Sequence, residues 1–137
     1  MTAAADLAAV LFANEAFYRA FADRDIDAMD ALWAQAEPVI CIHPGWPPLT
    51  GRGAVMASWT RILANPGAPR VECVAPRAFL AGDQAVLICH EAVAGQALVA
   101  TNLFRREGGT WRLFHHQAGP APGLPSRDPQ ATPPRPH

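Results

Sequence analysis

Two periods divide the chain. Over residues 4–23, Leu7, Val10, Leu11, Asn14, Phe17, Tyr18 and Phe21 recur every three or four positions and share one face of a helix. Asp23-Arg24-Asp25 interrupts that pattern and offers a capping carboxylate to a second helix. This helix carries Ile26, Met29, Leu32 and Trp33 on its apolar side and ends before Pro38. A short apolar strand over 39–42 follows and runs into His43-Pro44-Gly45-Trp46-Pro47-Pro48, where three prolines forbid regular structure. Thr50 is placed to cap a third helix with Val55, Trp59, Ile62 and Leu63 facing inward, stopped by Asn65-Pro66-Gly67.

From Arg70 onward apolar and polar residues alternate, predicting strands at about 70–80, 84–94, 97–106 and 110–118. Ala81-Gly82-Asp83, the turn around Gly95 and Glu107-Gly108-Gly109 are hairpin-length breaks, so neighbouring strands should be antiparallel. Helices first and a meander afterwards is an α+β order, with the helices gathered on one face of the sheet. The 137 residues suit a single domain over 1–118, followed by a tail over 119–137 that holds seven of the fourteen prolines.

Composition narrows the function classes. Half of the residues are hydrophobic, yet 28 of those are alanine, so the core rests on relatively few large side chains. Eleven arginines and no lysine face twelve acidic residues, a net charge of -1 that gives no electrostatic reason to expect nucleic acid or an anionic membrane as a partner. No apolar run approaches the roughly 18 residues of a span, and the first residues lack the positive region of a secretory signal. The expectation is a cytoplasmic protein. Cys41, Cys73 and Cys89 are widely spaced within apolar runs, which reads as buried small hydrophobes in a reducing compartment.

Three stretches carry a family resemblance: Asn14 to Asp25 (NEAFYRAFADRD); His43-Pro-Gly-Trp46 with Leu49-Thr-Gly-Arg52 and Ser58-Trp59; and Ala100-Thr-Asn-Leu-Phe104 with Trp111-Arg-Leu-Phe-His-His-Gln117. Their order and spacing over about residues 7–120 resemble the nuclear transport factor 2-like superfamily, in particular its SnoaL-like branch of small bacterial proteins. The resemblance implies a cone: a curved antiparallel sheet packed on three helices, with a pocket at the open end and dimerisation through the outer sheet face. It includes isomerases, epoxide hydrolases, dehydratases, cyclases and non-catalytic binders, so it does not choose a chemistry. The Asp-Arg-Asp of the epoxide hydrolases and the Tyr-plus-two-acid set of the steroid isomerases are absent. The branch's usual His-His-His-Ala-Ser-Pro ending reads His115-His116-Gln117-Ala118-Gly119-Pro120 here.

Strand alternation then sorts the polar candidates. On the last strand Trp111, Leu113, His115 and Gln117 share one face and Arg112, Phe114 and His116 the other; a charged Arg112 belongs outside, which turns His115 and Gln117 inward. By the same logic Asn102 faces in. A two-residue Gly95-Gln96 turn puts Glu91 on the face of Asn102, a three-residue turn puts His90 there, and the resemblance favours Glu91. His43, leaving its strand beside Trp46, joins them at a rim of the kind that lines pockets. The expected site has His43 and Glu91 as proton-transfer groups, with Tyr18, Trp46, Trp59, Asn102, His115 and Gln117 as ligand contacts, and Trp33 in the aromatic wall. The ligand would be small and largely apolar. No cofactor is expected, and a metal site from His43, His90 and His115 has no motif behind it. The chemistry would be isomerisation, hydration or dehydration, or cyclisation; the alternative is a non-catalytic binding or interaction module with a structural or sensing pocket.

Overall fold

The computed structural model describes residues 2–126. The part of the expected tail from residue 127 on lies outside the described residues. Its elements run α1 (Ala3–Asp23), α2 (Ile26–Leu32), β1 (Ile40–Ile42), β2 (Leu49–Thr50), α3 (Arg52–Ala64), β3 (Val71–Ala81), β4 (Gln84–Val93), β5 (Gln96–Glu107) and β6 (Thr110–Pro120).

Local chemistry sets most of these ends. The Thr2 hydroxyl accepts from the Ala5 amide at 3.1 Å and opens α1. Arg24, at φ 54°, closes it in the left-handed conformation. The Asp25 carboxylate accepts from the Ala28 amide at 3.0 Å and opens α2. At seven residues α2 is too short to hold alone, so its C-terminal carbonyls need partners. Arginines from two other elements supply them. Arg112 donates to Ala31 O, while Arg52 donates to Asp30 O (3.0 Å), Asp30 Oδ1 (2.9 Å) and Ala34 O (3.1 Å). Arg52→Leu should therefore lower stability by about 2 kcal/mol, read as a shifted urea midpoint with unchanged slope. An unshifted midpoint would show that water replaces these bonds without cost. The expected Thr50 cap is replaced by Gly51: Thr50 pairs with Ile40 in the β2–β1 ladder, and Gly51 takes φ +96°, a conformation favouring glycine.

The sheet order is β2-β1-β6-β5-β4-β3. The meander from β3 to β6 is antiparallel as expected, but the sheet as a whole is mixed, because β1 lies parallel to β6. The chain meets β6 twice in the same direction. Trp33 bridges Leu113 with the Ala34 amide on Leu113 O at 2.8 Å, and Ile40–Ile42 then pair with 115–117. Register shifts between Val74 and Arg77 and between Leu103 and Phe104 interrupt the ladders. Such bulges bend a strand and increase its twist. The sheet is thereby curved but unclosed.

Helices and inner sheet face enclose one core built on Val10, Phe17, Met29, Trp33, Trp59 and Phe104. Trp33, expected in the pocket wall, lies wholly within that core. On the outer face Phe79, Ile88 and Val99 stay exposed.

Candidate functional site

The bulge in β6 decides which histidine reaches the interior. Leu113 pairs with Phe104 and His115 with Leu103, so Phe114 is an extra residue between two ladder positions. One extra residue reverses the alternation after it. Trp111 and Leu113 face in, and so do His116 and Ala118, whereas His115 is half-buried and Gln117 exposed on the other face. The inward orientation expected of His115 and Gln117 is therefore corrected: His116 occupies that place. Two adjacent apolar residues, Leu113-Phe114, were the visible sign of a break in alternation.

On β4 the turn residues are Ala94-Gly95, with Val93 opposite Gln96. Glu91 therefore sits opposite Leu98, two positions from the Ala100 pairing expected, and an even offset preserves its face. Glu91 points inward and His90 outward.

The buried groups form a connected network. The Tyr18 hydroxyl donates to Glu91 Oε2 at 2.6 Å and touches Cys89 Sγ at 3.2 Å. Asn102 Nδ2 donates to Asn14 Oδ1 at 2.8 Å and to the Tyr18 oxygen at 3.3 Å. Its Oδ1 therefore faces His116 Nδ1, 2.6 Å away. An amide oxygen only accepts, so Nδ1 must carry the proton, and Nε2 of the neutral ring is a bare lone pair 4.0 Å from Glu91 Oε2. Asn102 is thus a positioning group inside the wall; it does not line the cavity.

His43 is fixed by similar reasoning. The Ser58 hydroxyl donates to Val55 O at 2.6 Å, which spends its proton, so the 2.9 Å contact to His43 Nε2 has the histidine as donor. Its Nδ1 keeps a lone pair, with the Cys41 thiol 3.9 Å away. The ring is wedged between Trp46 (centroids 4.9 Å) and Trp59 (4.8 Å).

Burial governs the protonation states. Desolvation pushes Glu91 above the usual carboxylate range, opposed by the Tyr18 bond. It lowers His43 to about 4 and, with His43 and His115 nearby, His116 to about 3, so both rings are neutral near pH 7.

These groups open onto a cavity of about 440 Å³. Tyr18, Glu91, His116 and Trp59 lie at its buried end; Trp46, Asn65, Gly67 and Gln96 form its exposed rim. The structure thus brings Tyr18, His43, Trp46, Trp59 and Glu91 to one wall and leaves His115 and Gln117 outside it. Among the described residues no group of three His, Cys, Asp or Glu is placed to hold a metal ion, and His90 and His115 face away from His43.

The profile of the SnoaL-like domain family matches residues 10–122. This chain belongs to that family. The SnoaL-like chain is similar to a protein of the nuclear transport factor 2-like family from Streptomyces avermitilis, provisionally named a dehydratase: 36% identity, TM-score 0.80, covering 89% of this chain and 100% of that one. A Thiobacillus denitrificans protein, provisionally named a calcium/calmodulin-dependent protein kinase type II association domain, is 38% identical with a TM-score of 0.71, over 80% of this chain and 92% of that one. Among curated proteins, the F-box protein SKIP8 of Arabidopsis thaliana is 26% identical over 112 residues, 80% of this SnoaL-like chain but 48% of its own length. The chain thus spans about half of that curated relative. No helix among the described residues is long and apolar enough to cross a membrane.

Proposed function

We propose that the cavity binds a small, largely apolar molecule carrying one or two oxygen functions, and that Glu91 moves a proton on it without a cofactor, as in an isomerisation or a dehydration. The meeting of the Glu91 carboxyl, the Tyr18 hydroxyl and the His116 ring at the buried end of a largely apolar cavity carries this reading. A desolvated carboxylate is a stronger base than one in water, and burial favours its protonated form after it has taken the proton. In an isomerisation Glu91 takes a proton from one carbon and returns it to another. In a dehydration it takes the proton beside a carbonyl as the double bond forms, then gives it to the departing hydroxyl, which leaves as water. Tyr18 holds the carboxyl in place, His116 offers a fixed acceptor, and His43 serves as wall between two indoles. The name given to the Streptomyces avermitilis protein supports the dehydration arm.

The test uses 5-nitrobenzisoxazole, a flat aromatic whose ring opens when a base removes one proton. Turnover above the buffer rate, rising with pH through a single inflection above the ordinary carboxylate range, is the expected result. No turnover at any pH from 5 to 9 would remove the acid–base reading.

Self-association belongs to the same proposal. Phe79, Ile88 and Val99 form an exposed apolar stripe on the outer sheet face, the side away from the cavity, and a second copy would cover it. The Thiobacillus denitrificans relative is itself named for association. Light scattering should give a dimer mass that falls to the monomer value in Ile88→Glu. A monomeric parent chain would rule this contact out.

A further inference from the structure

We propose that the ligand's polar group is a neutral hydroxyl that donates its hydrogen to the Nε2 lone pair of His116, and that carboxylate-bearing ligands are excluded. The inference rests on the cavity being a ligand site and adds the chemical class of what enters it.

The argument follows hydrogen bonds from the outside in. Asn14 Nδ2 donates to Cys73 Sγ at 3.6 Å, which leaves Asn14 Oδ1 as the acceptor for Asn102 Nδ2. With both Asn102 amide contacts on its nitrogen side taken by Asn14 and Tyr18, its oxygen is the group presented to His116. Two amides and one ring in series therefore specify one tautomer at the buried end of the cavity. The second cavity histidine is fixed as the opposite tautomer by an unrelated route, through Ser58 and Val55, with its proton spent on Ser58 Oγ and its lone pair on Nδ1. Both rings consequently present bare nitrogen, and neither offers a proton.

A ligand that only accepts hydrogen bonds leaves those nitrogens unmatched, and an unmatched buried polar atom is costly. Among the described residues no arginine lines the cavity, and the chain has no lysine, so no cationic side chain there compensates a carboxylate brought in from water. Glu91 settles the choice within the donors. Its Oε2 lies 4.0 Å from His116 Nε2, a separation that one oxygen spans with two bonds of about 2.8 Å. A hydroxyl fits because it gives its hydrogen to Nε2 while its oxygen faces the Glu91 carboxyl, from which it accepts whenever that carboxyl holds a proton. Phenols, enols and alcohols have that pairing; ethers lack the donor.

Three probes of one shape separate the possibilities: 2-naphthol, 2-methoxynaphthalene and 2-naphthoate, titrated calorimetrically into the intact protein at pH 7. We expect 2-naphthol to bind at least about tenfold more tightly than 2-methoxynaphthalene, with no measurable binding of 2-naphthoate. His116→Phe should erase the difference between the first two. Nitrogen-15 NMR of the unliganded parent protein should show His116 protonated at Nδ1 and bare at Nε2, a readout independent of whether the variant folds. Equal affinity for naphthol and its methyl ether, tight binding of naphthoate, or a proton on Nε2 would each overturn the hydroxyl assignment while leaving a binding cavity in place. Failure of all three probes to bind would overturn the cavity reading itself, and this assignment with it.

Discussion

Glu91→Gln is expected to cut turnover of 5-nitrobenzisoxazole by at least about a hundredfold, the usual scale for loss of a positioned general base. Glutamine keeps the shape of the side chain and still accepts from the Tyr18 hydroxyl, so the fold should survive and the loss should lie in chemistry. Tyr18→Phe acts in a different direction. The tyrosine bond opposes the burial that raises Glu91, so its removal should move the inflection of the pH–rate profile upward and make the ionised carboxylate more reactive. A structural role for Glu91 alone would give slow turnover in all three proteins and no moving inflection. An unchanged rate in Glu91→Gln would assign the base elsewhere.

Acid should destabilise this protein well before ordinary carboxylates are protonated. His43 and His116 titrate near 6.5 in the unfolded chain, but in the fold they stay neutral down to about 4 and about 3. Between those values the unfolded chain binds two protons that the folded one does not. Their stabilisation is complete above pH 6.5 and is lost as pH falls. Glu91 works oppositely: its raised value lets the folded chain keep a proton that the unfolded chain releases, so its contribution is present at low pH and lost as pH rises. Each proton changes stability by about 1.4 kcal/mol per pH unit, and one carboxyl offsets at most one of the two histidine protons, so a net loss of stability is expected from pH 7 to pH 5. Urea midpoints at the two pH values measure it. His43→Gln should flatten the slope, and a midpoint that rises on acidification would contradict the buried neutral rings.

The helices, the meander and the family were legible in the sequence because each rests on local information. Helical spacing, hairpin-length turns and the Asp25 cap need only a few adjacent residues. The parallel β1–β6 contact was not legible, since it joins segments some seventy residues apart and carries no local signature. Gly51 displaced Thr50 as the helix start because sheet pairing claimed the threonine first. In the candidate site, alternation was sound for Glu91, where two register choices differing by two residues keep the same face. It misdirected His115 because counting by twos assumes an unbroken strand, and the Phe114 bulge breaks it. Arg112 was correctly read as outward, yet the inference could not be carried past the bulge to His115.

The arrangement at Phe114 has a consequence for how such a chain can diversify. Under the Arg105 guanidinium, 5.0 Å from its ring, this residue sits where one position can be gained or lost at the margin of the core. Taking Phe114 into the ladder opposite Leu103 would turn the following segment of β6 over like a card, retiring His116 and bringing His115 and Gln117 inside. The layers above would keep their packing while the interior chemistry was replaced wholesale. Lineages of this architecture can therefore exchange reactivity by a shift of register, with no substitution at any cavity residue.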